Sequence, residues 1–140
     1  MAAILSGVTP LLQVFDMPGA VRFYCHVLGF EVVSHSPLIR GDQGEYFHWA
    51  MLRLNDVTVM LNTAYDEGQR PLAPDAARMA AHADTVLFFG CPDLEETYSR
   101  FLALGVTVQE APTTTGYGMK RFTISDPDGY NLCFQWAATA

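Results

Sequence analysis

The sequence predicts a single α+β domain in which two βαβββ modules form curved, mixed but mostly antiparallel sheets. Three observations predict it. The chain has 140 residues, the size of one ordinary domain. It contains an internal repeat of strand, acidic residue, helix, glycine and strand. Each copy of the repeat is followed by further strand-like runs joined by tight-turn residues. Half of the residues are apolar (50%) and 16% are charged, which excludes disorder over most of the length.

The repeat decides the architecture, because self-similarity constrains topology before any single motif does. Residues 11–33 (LLQVFDMPGAVRFYCHVLGFEVV) and 88–108 (FFGCPDLEETYSRFLALGVTV) follow the same order. In the first copy Asp16 is placed to cap a helix, Pro18 sits in its first turn, and Val21, Tyr24, Cys25 and Leu28 form an apolar stripe. In the second, Asp93 with Glu96 gives a capping-box pattern ahead of the stripe Leu94, Tyr98, Phe101 and Leu102. Gly29 and Gly105 end the two helices, since glycine takes a left-handed terminus without steric cost. A helix with a single apolar face requires a sheet beneath it.

Strand signals follow at Phe30–Ser36, Tyr46–Leu54 and Val57–Asn62, and again at Val106–Glu110, Met119–Ser125 and Asn131–Trp136, with Thr85–Phe89 opening the second module. Asn55-Asp56 reads as a two-residue hairpin turn and residues 126–129 (DPDG) as a four-residue one. One domain therefore spans 1–140, with module 1 at about 8–63, a linker at about 64–84 and module 2 at about 85–137. The linker holds Pro71 and Pro74 and a short helix within Asp75–Ala83.

The charge pattern excludes several functions. With 8 Lys+Arg against 15 Asp+Glu the formal net charge is −7 and no basic run occurs, so no nucleic-acid partner is expected. No stretch has the length of a membrane span, and the start lacks a basic, apolar leader, so the expected location is the cytoplasm. Cys25, Cys91 and Cys133 are odd in number and lack CxxC spacing, which argues for small apolar fillers over disulfides or a zinc site.

Two βαβββ modules, a helix carrying Phe23-Tyr24 and ending in Leu28-Gly29-Phe30, and Asp126-Pro-Asp-Gly-Tyr130 before the last strand together resemble the vicinal oxygen chelate superfamily. That superfamily contains glyoxalase I, extradiol dioxygenases, fosfomycin-resistance enzymes and bleomycin-resistance proteins. The resemblance implies the glyoxalase/bleomycin-resistance fold and a concave ligand-binding face. It also implies four metal-ligand positions, which fall here on Thr9, Met60, Val86 and Cys133. A hydroxyl, a thioether, an isopropyl group and a thiol do not make a site for a hard divalent ion. Neither a metal nor another cofactor is therefore expected, and the chain is closest in character to the metal-free, bleomycin-resistance-like branch. That branch implies a homodimer, and Val8-Thr-Pro10 resembles the segment that accompanies exchange of the first strand between protomers.

Strand alternation then names candidates. A turn at Asn55-Asp56 sets Met51 opposite Met60 and puts Phe47, Trp49, Met51, Thr58, Met60 and Asn62 on one face. In the second module, a turn at 126–129 pairs Phe122 with Cys133, so Lys120, Phe122, Cys133 and Gln135 share a face. Phe88 is a floor residue, and Tyr117, between Gly116 and Gly118, is presented at a rim. The ligand-binding candidates are Phe47, Trp49, Met60, Phe88, Tyr117, Phe122, Cys133 and Gln135. Each is either a contact for an aromatic ligand or an ordinary core or loop residue. Glu45 and Asp42 could supply negative charge to a cation, and His26, His35, His48 and His82 read as structural or solvent-facing.

Two functions remain open at this stage. One is a metal-independent binding protein that sequesters a cationic or aromatic small molecule such as an antibiotic, with no catalytic residues. The other is a glyoxalase-like lyase, isomerase or dioxygenase with an atypical or absent metal site. For the latter, Cys133, Lys120 and His48 are the available titratable groups.

Overall fold

The computed structural model describes residues 1–41 and 44–139. The chain divides into two compact units, Met1–Arg70 and Pro71–Ala140. Each carries one four-stranded sheet in which an edge strand is parallel to its neighbour and the other pairs are antiparallel. Among the described residues no helix is long and apolar enough to cross a membrane.

In unit 1 the order is β1 (Leu11–Val14), α1 (Met17–Arg22), β2 (Glu31–His35), β3 (Ile39–Gly41), β4 (Gly44–Tyr46), β5 (Trp49–Leu54) and β6 (Val57–Thr63). The sheet runs β1-β6-β5-β2, and β3 and β4 form a separate hairpin. The expected strand Tyr46–Leu54 is thus split. Ser36 Oγ accepts from the backbone N–H groups of His48 and Trp49 at 3.1 Å each, so the chain turns into β5 at that point.

The first helix forms where expected but continues as a π-helical turn over Phe23–Val27. It closes at Gly29, whose φ is +97°. Asp16 stands at its N-cap without a side-chain capping bond. Its carboxylate instead faces Arg70 Nη1 at 3.6 Å. The buried stripe is Met17, Ala20, Tyr24 and Leu28, with Val21 and Cys25 only half-buried. It covers Leu12, Val14, Ala50, Leu52, Val59 and Leu61, the buried side of the sheet.

Unit 2 comprises α2 (Ala76–Ala81), β7 (Val86–Gly90), α3 (Leu94–Ala103), β8 (Val108–Thr114), β9 (Met119–Ser125) and β10 (Asn131–Ala137), with sheet order β7-β10-β9-β8. Strand β8 starts later and runs further than Val106–Glu110. As an edge strand it accommodates Pro112 with shifts in register. The buried positions of α3 are Leu94, Thr97 and Phe101, whereas Leu102 faces solvent. Phe101 meets Phe122 and Phe134 edge-on at centroid distances of 6.0 and 5.4 Å, and those two rings stack at 5.1 Å.

About two thirds of the segment read as a linker, from Pro71 on, belongs to unit 2. Asp75 caps α2 by accepting from Ala77 N at 2.9 Å. His82 stacks on Tyr130 at 3.9 Å, and its Nε2 lies 2.6 Å from Asp128 O.

The second hairpin corrects the sequence reading. Asp126 Oδ1 accepts from the backbone N–H groups of Asp128 and Tyr130, both at 2.9 Å. This draws Tyr130 into the loop, so β9 and β10 close at Ser125 opposite Asn131, and Phe122 pairs with Phe134 instead of Cys133. A one-residue change in register moves every side chain to the other face.

Candidate functional site

Among the described residues, each sheet has one side covered by a helix and one side without a helix. The helix-free side of unit 1 is the one that alternation predicted. Trp49 lies opposite Asn62, Met51 opposite Met60 and Arg53 opposite Thr58. On the neighbouring strand, Gln13 lies beside Asn62 and Leu11 beside Met60. This produces a row of Gln13, Asn62 and Trp49 and a parallel row of Leu11, Met60 and Met51. Asn62 Nδ2 donates to Gln13 Oε1 at 3.4 Å. Trp49, Met51, Met60 and Asn62 are all half-buried. A rigid indole beside two flexible thioethers makes an adaptable surface for a planar apolar ligand.

Phe47 does not extend this row. It precedes β5 and stacks on His35 at 4.8 Å, and the register partner of His35 is Ala50, on the covered side. His48 turns the other way from Trp49, its Nδ1 2.9 Å from Thr63 Oγ1. Glu45 lies in β4 and is exposed, and Asp42 lies outside the described residues.

In unit 2 the register divides the predicted set. Phe122, at 0% exposure, belongs to the core under α3. Lys120 is on that same side, paired with Glu95 of α3. Cys133 and Gln135 are on the helix-free side, where the rows are Phe88, Cys133 and Thr123, and next to it Gly90, Gln135 and Arg121. Phe88 is 53% exposed and Cys133 is 1% exposed. Burial is the main cause pushing the Cys133 thiol above its ordinary range, opposed by the Thr123 hydrogen bond and the Arg121 charge and reinforced by Glu110. The thiol keeps its proton at neutral pH and is not a ready nucleophile.

Sequence reasoning missed Arg121. Its Nε donates to Glu110 Oε1 at 3.1 Å and its Nη1 to Tyr117 Oη at 3.3 Å. Tyr117 is exposed on its loop. The signal that could have found Arg121 is the Asp-x-Asp-Gly-Tyr loop, because an aspartate accepting from the second and fourth residues after it holds five residues out of the ladder.

The four positions at which the resembled family carries metal ligands do not fit a divalent cation. Thr9 Oγ1 is 3.1 Å from Thr58 Oγ1, Val86 has no donor atom, Met60 offers a thioether, and the Cys133 thiol is held protonated. Among the described residues, no three His, Cys, Asp or Glu side chains gather in a way that could hold a metal ion.

The chain belongs to the glyoxalase/bleomycin resistance protein/dioxygenase superfamily, whose family model matches residues 7–134. No curated protein sequence matches it. Among solved structures, it is similar to TioX from Micromonospora sp. ML1, at a TM-score of 0.71 and 18% identity over 94% of this chain and 99% of that one. TnmS3, an antibiotic-binding protein from Streptomyces sp. CB03234, aligns at 0.67 and 21% identity over 98% of this chain and 100% of its own. The bleomycin resistance determinant encoded on transposon Tn5 aligns at 0.66 and 22% identity, over 96% and 100% of the two chains. At these identities the likeness is one of fold.

Proposed function

We propose that the protein is a metal-independent small-molecule binding protein that sequesters a bulky, aromatic, cationic molecule such as an antibiotic. The observation that carries this reading is the helix-free face of unit 1, where Trp49 lies beside the opposed pair Met51 and Met60 without a helix to cover them. Stacking on Trp49 contributes ~0.5–1.5 kcal/mol beyond area burial, and more when a cation lies over the ring. A net charge of −7 raises the association rate of cations, an effect that salt screens. An antibiotic-binding protein and a bleomycin resistance determinant among the structures of like fold agree with this reading.

The same reading makes the protein a cytoplasmic homodimer, in which a partner copy covers exposed edges and apolar side chains such as Ile4, Leu5 and Val8. The test is titration calorimetry of the wild type and Trp49→Ala with bleomycin and other bulky cationic aromatics. Saturable binding that falls about tenfold on losing Trp49, roughly 1.4 kcal/mol, is the expected result. Absence of heat with every compound, or equal affinity in Trp49→Ala, would refute the proposal.

A further inference from the structure

Two polar groups on the helix-free face of unit 2 have unused hydrogen-bonding capacity. Arg121 is held in place on two sides, by Glu110 at Nε and by Tyr117 at Nη1, and among the described residues no group engages Nη2. Directly opposite it on β10 is Gln135. Its Oε1 is buried without a partner, and among the described residues its carboxamide makes no hydrogen bond at all. An unpaired buried amide is costly and in native proteins calls for an explanation. The residue on the other side of Gln135 is Gly90, which brings no side chain to pair with it.

We infer that Arg121 and Gln135, neighbours on the sheet of unit 2, together recognise a carboxamide group of a small molecule. The guanidinium is a fixed donor and takes the carboxamide oxygen. Gln135 supplies the acceptor for the carboxamide N–H through the same orphaned Oε1, which a change of side-chain rotamer turns toward the open face, so that binding gives it the partner it lacks. Cross-strand neighbours stand ~4.5–5.5 Å apart at Cβ, close enough for two side chains to meet the two atoms of one planar group. Glu110 and Tyr117 act as positioning residues, fixing the guanidinium so that little entropy is lost on binding. Phe88, one row away and exposed, offers a ring face to the aromatic group that carries the amide. This inference rests on the binding-protein reading and names a chemical group that unit 2 recognises.

The experiment is a two-dimensional NMR titration with three probes: benzamide, N,N-dimethylbenzamide, which lacks N–H, and benzylamine, which lacks the carbonyl. Benzamide should shift the Arg121 Nε–H and Gln135 side-chain resonances and bind about tenfold more tightly than the other two. Gln135→Met should remove the preference over N,N-dimethylbenzamide while the melting temperature stays level or rises, because an orphaned amide has been replaced by an apolar chain of like length. Arg121→Lys keeps the charge but loses the fork, and should weaken benzamide about tenfold.

Equal binding of benzamide and its dimethyl form, a preference that survives Gln135→Met, tighter binding of benzylamine, or a large drop in melting temperature for Gln135→Met would each overturn the inference. If benzamide produces no shift while a glycopeptide still binds in a Trp49-dependent manner, the carboxamide site alone fails. If neither binds, the underlying function fails with it.

Discussion

At matching places in the two sheets, unit 1 carries Trp49 and unit 2 carries Arg121. One row further on, unit 1 has Leu11, Met60 and Met51 where unit 2 has Phe88, Cys133 and Thr123. The same sheet topology therefore presents a soft, apolar face in one unit and a polar face with an ion pair in the other. Duplication supplies the scaffold twice, and the side chains then differentiate the two copies.

The largest effect that can sharpen this comparison is a contrast within unit 2. Phe122→Ala removes a fully buried ring stacked on Phe134 beneath α3, and should cost ~3–5 kcal/mol in urea unfolding. Phe88→Ala removes an exposed ring from the opposite side of the same sheet and should change stability by about 0.5 kcal/mol or less. Similar costs for the two would mean that the register assigned to β9 and β10 is wrong.

A smaller loss is expected at the loop that sets this register. Asp126→Ala leaves the backbone N–H groups of Asp128 and Tyr130 without their carboxylate acceptor, at ~1.5–3 kcal/mol. Because Tyr130 also stacks on His82, near-ultraviolet circular dichroism should report the loss of tyrosine order in parallel. An unchanged spectrum and stability would show that the loop is held by other contacts.

The loop also explains what was legible in the sequence. The strand, helix and glycine repeat gave both sheets, and Asn55-Asp56 correctly set Met51 opposite Met60, because a two-residue turn leaves no freedom in register. The second hairpin was misread by one residue, since its register depends on which backbone N–H groups Asp126 captures, and this is a contact, not a composition signal. That single residue exchanged Arg121 for Phe122 and Lys120 on the helix-free face. Similarly, Ser36 breaks the strand before Trp49 through hydrogen bonds from a distant segment, and Phe47 is drawn to His35 for that reason.

Cys133 gives a finer test of the polar face. Burial raises its folded-state pKa above the ordinary thiol range. The native state therefore holds the proton more tightly than the unfolded chain. The associated stability is fully present below the unfolded pKa and is lost as pH rises through the folded one. As pH rises above the ordinary thiol range, wild type should lose stability more steeply than Cys133→Ala, measured as unfolding midpoints along that rise. Parallel pH profiles would contradict the burial argument. The purified protein should also contain no stoichiometric Ni, Zn, Mn or Fe by elemental analysis, and about one metal per chain, lost on substituting Met60 or Cys133, would contradict the donor-set argument.

Binding of an aromatic ligand is proposed for the face bearing Trp49. It can be read from Trp49 itself once the other tryptophan, Trp136, which is 46% exposed, is replaced in a Trp136→Phe variant. Titrating bleomycin into this single-tryptophan protein should change the indole emission saturably, with the same midpoint as the heat of binding. Heat of binding without any change in Trp49 emission would place the ligand elsewhere than on this face and overturn the proposed role of Trp49.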